Sequence, residues 1–223
     1  MHSTTSHTAL LVFNQTPLRE ALRKPSRSRE VALRVFSQTK AQIIRFGQRS
    51  GLHVFDSAHW TLSGDTFAER LREAVGSILK QGFHHVLVVG IDTPGLTQEH
   101  LVHASAILSE GHLPVGPDQR GGAYLLAFDA NLWASTIWDI CRWETPHFLQ
   151  DWQSATSAFS LHSVADIAST PDFDWVKTMI RFRWMLKALS QQVRLDGCLT
   201  RIPPAPKPSY HGLRAPPKET ILF

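Results

Sequence analysis

Apolar runs alternate with amphipathic stretches along the first 130 residues of the chain. Runs of aliphatic and aromatic residues without a polar break predict strands, the most apolar of them buried on both faces; they lie at 8–13, 52–55, 86–89 and 123–128. Apolar residues spaced three or four apart predict helices, at about 28–49, 65–80 and 98–108. This alternation predicts an α/β fold, a three-layer α/β/α sandwich with a mainly parallel sheet and a hairpin-like insertion near its end.

The strand predicted at 86–89 ends in a polar segment. Gly90 stops the apolar run, Asp92 follows, residues 93–95 turn the chain, and Thr97 is placed to cap the next helix. Open α/β sheets bind ligands outside the carboxyl ends of their strands, so Asp92 is expected in that crevice. Its carboxylate would suit a divalent cation beside a phosphate-bearing substrate. The alternative is that Asp92 only caps its own turn.

Two further segments carry candidate binding chemistry. Residues 18–28 follow the break at 14–17 and are predicted to form a basic loop, in which Arg19, Arg23 and Lys24 could bind phosphate. This loop has no glycine to bring backbone close to a phosphate. Gly121 and Gly122 precede the strand at 123–128, where the missing side chains would let a ligand or another strand approach.

Charge is unevenly distributed, although the net charge is only +4. Residues 18–50 carry nine Lys and Arg against two acids, residues 51–176 five against fifteen, and residues 177–223 nine against two. The basic flanks allow three interpretations: solvated helices, cations beside a phosphate site, or nucleic-acid contacts. Nucleic acid is disfavoured because no zinc spacing, recognition-helix pattern or aromatic interleaving accompanies the charge.

The 223 residues suffice for one α/β domain with an extension. No apolar run approaches the ~20 residues of a membrane span, and the first residues have no signal-peptide core. Cys141 and Cys198 are too few for a disulfide framework. These features favour a cytoplasmic location.

The C-terminal quarter is predicted to form separate elements. Residues 1–175 would be the nucleotide-binding domain, residues 176–197 an amphipathic helix packed on it, and residues 198–223 a basic, proline-rich tail. The apolar stripe of the helix would cover the sheet, with a homodimer interface or an anionic surface as alternatives.

Five segments, in this order, resemble one known family. They are GDTFAERL at 64–71, GIDTPGL at 90–96, GPDQRGG at 116–122, WETP at 143–146 and DIASTPD at 166–172. Together they resemble the nucleotide-diphospho-sugar transferase (GT-A) superfamily. More narrowly, they are similar to the bacterial arsenosugar biosynthesis glycosyltransferase-like family, which is related to the molybdenum-cofactor guanylyltransferases. The resemblance covers about residues 8–175.

The resemblance implies a glycosyl- or nucleotidyltransferase that uses a nucleotide or nucleotide-sugar with Mg²⁺ or Mn²⁺. Asp92 would then hold the metal that bridges the diphosphate, and the metal would neutralise charge on the leaving group. The substrate-binding residues that the resemblance implies, together with those proposed from the basic loop, are Arg19, Arg23, Lys24, Arg120, Gly121, Gly122, Trp143 and Asp166.

Departures from the family pattern affect the same polar positions. Residues 17–25 lack the family's first-loop glycine, Arg120 stands where the family has an acid, and Ala168 replaces the second acid of the last motif. Asp118 lies two residues before Arg120, on the same face of an extended chain, and is a candidate catalytic replacement. The pattern suits either a changed substrate or lost catalysis.

Three hypotheses therefore remain. The first is a metal-dependent transferase acting on a nucleotide-activated substrate. The second is a catalytically degenerate member that binds a nucleotide or a partner. The third is a nucleic-acid-binding protein, which depends on charge alone.

Overall fold

A computed structural model describes residues 7–24, 26, 28–167, 172 and 176 of the chain. The strands are β1 (Thr8–Val12), β2 (His53–Asp56), β3 (His85–Val89), β4 (Pro114–Pro117), β5 (Ala123–Asp129) and β6 (Phe159–Ser160). The helices are α1 (Pro17–Arg23), α2 (Arg29–Arg49), α3 (Phe67–Leu79), α4 (Gln98–Ser109), α5 (Ala130–Ala134), α6 (Ile137–Ile140) and α7 (Phe148–Ala155).

The six strands form one sheet in the order β2-β1-β3-β5-β4-β6. Strand β1 pairs in parallel with both β2 and β3, and β4 pairs in parallel with β6. Strand β5 runs antiparallel to β3 and β4, so that β4 and β5 form the expected hairpin-like unit. The predicted mixed α/β fold with a mainly parallel central sheet is confirmed.

The core lies on both faces of β1 and β3, whose apolar residues are almost completely buried. Ala9 and Leu11 belong to the cluster that also contains Leu71 and Val75 of α3. Leu10 points to the opposite face because side chains alternate along a strand, and there it packs against Gly47 of α2. Helices therefore cover both faces, which gives the three layers that the alternation predicts.

The prediction of a basic loop at 18–28 was wrong for its first part, since α1 occupies Pro17–Arg23. The Thr16 side chain accepts a hydrogen bond from the backbone N–H of Arg19, and Pro17 takes the first helical position, where no N–H is needed. The helix is only seven residues long, too short for periodicity to reveal it.

Helix α3 begins later than expected. Thr66 is its N-cap, in a capping box with Glu69. The predicted cap at Thr97 and the helix that follows it are confirmed, with α4 ending at Ser109.

The predicted C-terminal elements lie almost entirely outside the described residues. Of the helix expected at 176–197 only Val176 is described, and it is buried; the tail at 198–223 is not described. The division at 1–175, 176–197 and 198–223 and the dimer through the C-terminal helix therefore stay predictions. Within the described part of the chain, no helix is both long and apolar enough to span a bilayer.

We expect stability to fall below about pH 6.5, the ordinary pKa of histidine, partly because of His85. Burial lowers the pKa of this imidazole; Asp129 opposes the shift and His84 adds to it. The unfolded chain therefore binds a proton at His85 more readily than the folded chain. The stability that the neutral His85 side chain contributes is thus fully present above pH 6.5 and is lost as the pH falls. Urea unfolding at pH 5 and pH 8 should show a smaller difference in His85→Gln than in the wild type. The same change at exposed His59 is the control, and equal pH dependence in both variants would contradict the assignment.

Candidate functional site

Two adjoining cavities open where β1 and β3 end, at the carboxyl edge of the sheet. They have volumes of about 410 and 400 Å³ and share Arg23, Phe67, Asp92 and Glu144 among their lining residues. The first lies beside the ends of β1 and β2, and the second beside the 118–122 loop. This edge is where open α/β sheets bind their ligands.

The structure brings nine of the ten predicted site residues to these cavities. The first cavity is lined by Arg19, Arg23 and Asp92. The second is lined by Arg23, Lys24, Asp92, Asp118, Arg120, Gly122, Trp143 and Asp166. Gly121 lines neither cavity. Residues separated by up to 147 positions therefore meet at one edge of the sheet.

Lys24 and Asp92 form an ion pair in the second cavity. The Lys24 Nζ donates to Asp92 Oδ2 at 3.0 Å and to the carbonyl oxygen of Ile167 at 2.8 Å. The side chains are 13% and 31% exposed, respectively. The backbone N–H of Ile167 also donates to the Asp92 carbonyl, at 2.7 Å. Asp92 thus connects the end of β3 to α1 and to the 167 segment.

Asp118 organises the loop that follows β4. Its Oδ1 accepts hydrogen bonds from the backbone N–H groups of Arg120 at 2.7 Å and Gly122 at 2.8 Å. The Asp118 N–H in turn donates to the Gly122 carbonyl at 3.0 Å. One carboxylate oxygen is therefore committed to the turn.

Arg120 joins this loop to two later carboxylates. Its guanidinium donates to Asp166 at 2.9 Å and to Asp172 at 2.8 Å. The hydrogen bond to Asp172 raises the pKa of Arg120 despite partial burial, and the charge of Asp166 contributes. Burial and the neighbouring Asp118 and Asp92 raise the pKa of Asp166, against the opposing effect of Arg120 and Lys24. The edge of the sheet is therefore a coupled network of acids and cations.

The expected Mg²⁺ or Mn²⁺ at Asp92 stays a prediction, and the donor set does not fit a resident ion. Asp92 is already paired with Lys24, Asp166 with Arg120, and Asp118 with backbone N–H groups. Among the described residues, no three His, Cys, Asp or Glu side chains are grouped to hold a metal ion. A metal here would have to displace a protein cation.

The paired glycines have a structural reason in this loop. Gly121 has φ +85°, and a Cβ there would overlap the carbonyl oxygen of Pro146. A Cβ at Gly122 would overlap the Asp118 carboxylate. Close backbone packing and the Asp118 turn therefore account for both glycines, whichever ligand the second cavity takes.

Trp143 and the α1 arginines contribute in different ways. The Trp143 ring stacks on Trp138 with centroids 5.4 Å apart, and its Nε1 donates to the Trp138 carbonyl at 3.1 Å. Trp143 therefore packs in the aromatic cluster and also lines the second cavity. Arg23 is exposed and bonds Glu20 at 3.0 Å, while Arg19 is exposed on the first cavity.

Sequence reasoning missed a polar cluster at the ends of β1 and β2. Asp56 pairs with Lys40 at 2.6 Å and accepts from the Asn14 side chain at 2.9 Å. Burial raises the pKa of Asp56, but hydrogen bonds from Lys40, Asn14 and Ala58 outweigh it and the pKa is lowered. The signal was available, because Asp56 ends a predicted strand just as Asp92 follows one.

Glu144 was also missed. It lines both cavities and is the non-glycine residue with positive φ (57°) among the described residues. A left-handed backbone conformation is uncommon for a glutamate, and no pattern in the sequence predicts it.

The described sheet and its helices have the nucleotide-diphospho-sugar transferase fold, as a match to a solved structure shows. A crystal structure of a protein assigned to that class, from Desulfovibrio desulfuricans G20, matches with a TM-score of 0.63 and 17% identity. The match covers 74% of this chain and 83% of that one.

Two further solved structures match less well. A cytidylyltransferase from Leptospira borgpetersenii has a TM-score of 0.41 and 13% identity, over 70% of this chain and 76% of that one. A 4-diphosphocytidyl-2C-methyl-D-erythritol synthase from Anaerococcus prevotii has a TM-score of 0.46 and 10% identity, over 81% of this chain and all of that one.

The chain belongs to the family described as uncharacterized protein conserved in bacteria (DUF2064), whose model matches residues 18–145. No curated protein matches it. The expected resemblance to the GT-A superfamily is confirmed at the level of the fold.

We expect Gly121→Ala to destabilise the protein more than Gly111→Ala. Both glycines have nearly the same positive φ, +85° and +84°, but a Cβ at Gly111 meets nothing within 4 Å. Gly111→Ala should therefore cost only the left-handed backbone, about 1–2 kcal/mol, and Gly121→Ala should add the overlap with Pro146. The two free energies of unfolding, measured in urea, test this; equal values would show that the 121 turn moves freely away from Pro146.

Proposed function

We propose that this chain is a nucleotide-utilising transferase whose substrate phosphates bind at the carboxyl edge of the sheet. The observation that carries the proposal is the convergence of Lys24, Arg120 and Arg23 with Asp92 on one cavity at this edge. Cations at the strand ends of this fold class suit a phosphorylated ligand, because charge-assisted hydrogen bonds to phosphate are the strong ones.

The two cavities suit the two parts of such a substrate. The first has aromatic and aliphatic side chains, among them Phe13, Trp60 and Leu62, in its lining, against which a nucleobase can pack. The second holds the cations and would take the phosphates. Asp92 lies on both, so a ligand that spans them places its phosphates beside Lys24.

Transfer of a glycosyl or nucleotidyl group needs mainly positioning and charge stabilisation. In either case, an acceptor oxygen forms the new bond while the bond to a phosphate leaving group breaks. Lys24 and Arg120 would stabilise the negative charge that collects on that leaving group. The acceptor hydroxyl loses its proton in the reaction, and the Glu144 carboxylate at the junction of the cavities can accept it. No step depends on a metal at Asp92.

One observation favours the second candidate, a catalytically degenerate protein that binds a nucleotide or a partner. Arg120 stands where the resemblance implies an acid, and its guanidinium is bound to Asp166 and Asp172. These pairs fix the loop that should approach the substrate. Binding without turnover would then be the function. The first candidate is preferred because the remaining cations still face the cavity.

Nucleotide binding should weaken about tenfold in Arg23→Ala, because one charge-assisted bond to phosphate is lost. We would measure binding by thermal melting with CTP, GTP, UTP, ATP and their sugar nucleotides, where a hundredfold excess over Kd stabilises by about 2.7 kcal/mol. Arg34→Ala is the matched control: like Arg23, Arg34 bonds a glutamate of its own helix, at 3.1 Å, but it lines neither cavity.

Two products would distinguish the transferase from the degenerate protein. One is an acceptor that carries the sugar of the bound nucleotide, and the other is pyrophosphate released from that nucleotide. Absence of any nucleotide-dependent shift in a protein that melts cooperatively would contradict both.

A further inference from the structure

We propose that Lys24 replaces the divalent cation at Asp92, so that this chain binds the phosphates of its substrate without a metal. The inference builds on the proposed function, since it concerns how the same cavity holds the same phosphates. The ligand class is a nucleoside di- or triphosphate, or a sugar nucleotide, in its metal-free form.

The position of Lys24 supports this role. Its ammonium lies 3.0 Å from Asp92 Oδ2, at the carboxylate where the resemblance places a metal. The same nitrogen also donates to the carbonyl oxygen of Ile167 at 2.8 Å. Two fixed acceptors therefore set the position of the ammonium, with the aliphatic stem largely buried.

An ammonium so held can still bind an anion. Lysine has three N–H donors, and the two bonds to Asp92 and Ile167 account for two of them. Because Lys24 lines the second cavity, the third donor can serve a phosphate oxygen while the pair with Asp92 stays intact. A resident divalent ion on Asp92 Oδ2 would instead have to expel the ammonium.

Asp118, Asp166 and Asp172 at this edge are also compensated by protein groups. Arg120 neutralises Asp166 and Asp172 with separate nitrogens, and the Asp118 Oδ1 is bonded to two backbone N–H groups. The protein thus supplies cations or N–H donors for the acids that a metal would otherwise bridge. Among the described residues, no grouping of acids and histidines suits a metal ion.

A second lysine–aspartate pair has the same burial but contacts the wall of the first cavity. Lys40 and Asp56 lie 2.6 Å apart with exposures of 14% and 31%, close to the 13% and 31% of Lys24 and Asp92. Asp56 bonds Asn14, which lines the first cavity, so a change at Lys40 can alter that wall. The control for binding is therefore Arg34, which lines neither of the two cavities.

Calorimetric titration of the full chain with the nucleotide that binds best tests the inference, once in excess EDTA and once with Mg²⁺. We expect the affinity in EDTA to equal or exceed that with Mg²⁺, because the metal-free nucleotide carries more negative charge. Lys24→Gln should weaken binding in EDTA at least about tenfold, the worth of one charge-assisted bond, and Arg34→Gln, outside both cavities, should leave it unchanged. Lys24→Arg, which keeps the charge, should retain part of the binding.

Asp92→Asn gives a second, independent readout. The Lys24 ammonium remains in this variant, so binding in EDTA should persist. If Lys24→Gln does not fold, the wild type and Asp92→Asn still decide the question.

The outcomes separate the inference from the proposed function. Binding that requires Mg²⁺ or Mn²⁺ overturns the replacement by Lys24 and leaves the transferase proposal standing. Equal loss in Lys24→Gln and Arg34→Gln also overturns it, because the effect would then come from the net charge and not from the position of Lys24. No nucleotide binding under either condition overturns the proposed function, and the inference with it.

Discussion

Burial of β1 and β3 on both faces decides where polar chemistry can lie in this protein. Side chains from Ala9 to Val12 and from Val86 to Val89 have almost no access to water, and an unpaired polar group among them would cost several kcal/mol. The first charged side chain on β3 therefore appears only past its carboxyl end, at Asp92. Parallel pairing with β1 brings the segment leading to α1 to the same edge, since parallel strands end together.

Charge compensation then determines which side chains contact one another at this edge of the sheet. Carboxylates that lie partly away from water are stable when a cation or N–H group contacts them. Lys24 meets Asp92, and Arg120 meets Asp166 and Asp172. The same contacts connect the end of α1 and the 118–122 loop to Asp166, Ile167 and Asp172, so the electrostatic network also positions the residues that line the second cavity. Removing one partner would both expose a charge and loosen a loop.

An aromatic stack supports the far side of that cavity. Phe128 of β5 stacks on Trp138 at 5.1 Å, and Trp138 stacks on Trp143 at 5.4 Å. Phe148 and Trp152 of α7 pack around these rings. The stack extends the core of the sheet out to the loop carrying Trp143 and Glu144, so the unusual backbone at Glu144 is held by rigid neighbours. The Glu144 side chain, at the junction of the two cavities, therefore follows directly on a packed aromatic cluster.

The sequence by itself determined strands β1, β2, β3 and β5, the long helices α2, α3 and α4, the α/β class and the position of Asp92 at a strand end. Those features depend on local periodicity and on turn chemistry, which a linear pattern records. It did not determine helix α1, whose seven residues make too few helical turns for a periodic pattern to be recognised. It also did not determine the partners of Asp92 and Arg120. Only the tertiary structure decided that Lys24 pairs with Asp92 and that Arg120 pairs with Asp166. Those residues lie 68 and 46 positions apart, and contacts at such separations are set by strand order and loop packing, which leave no periodic trace in the sequence.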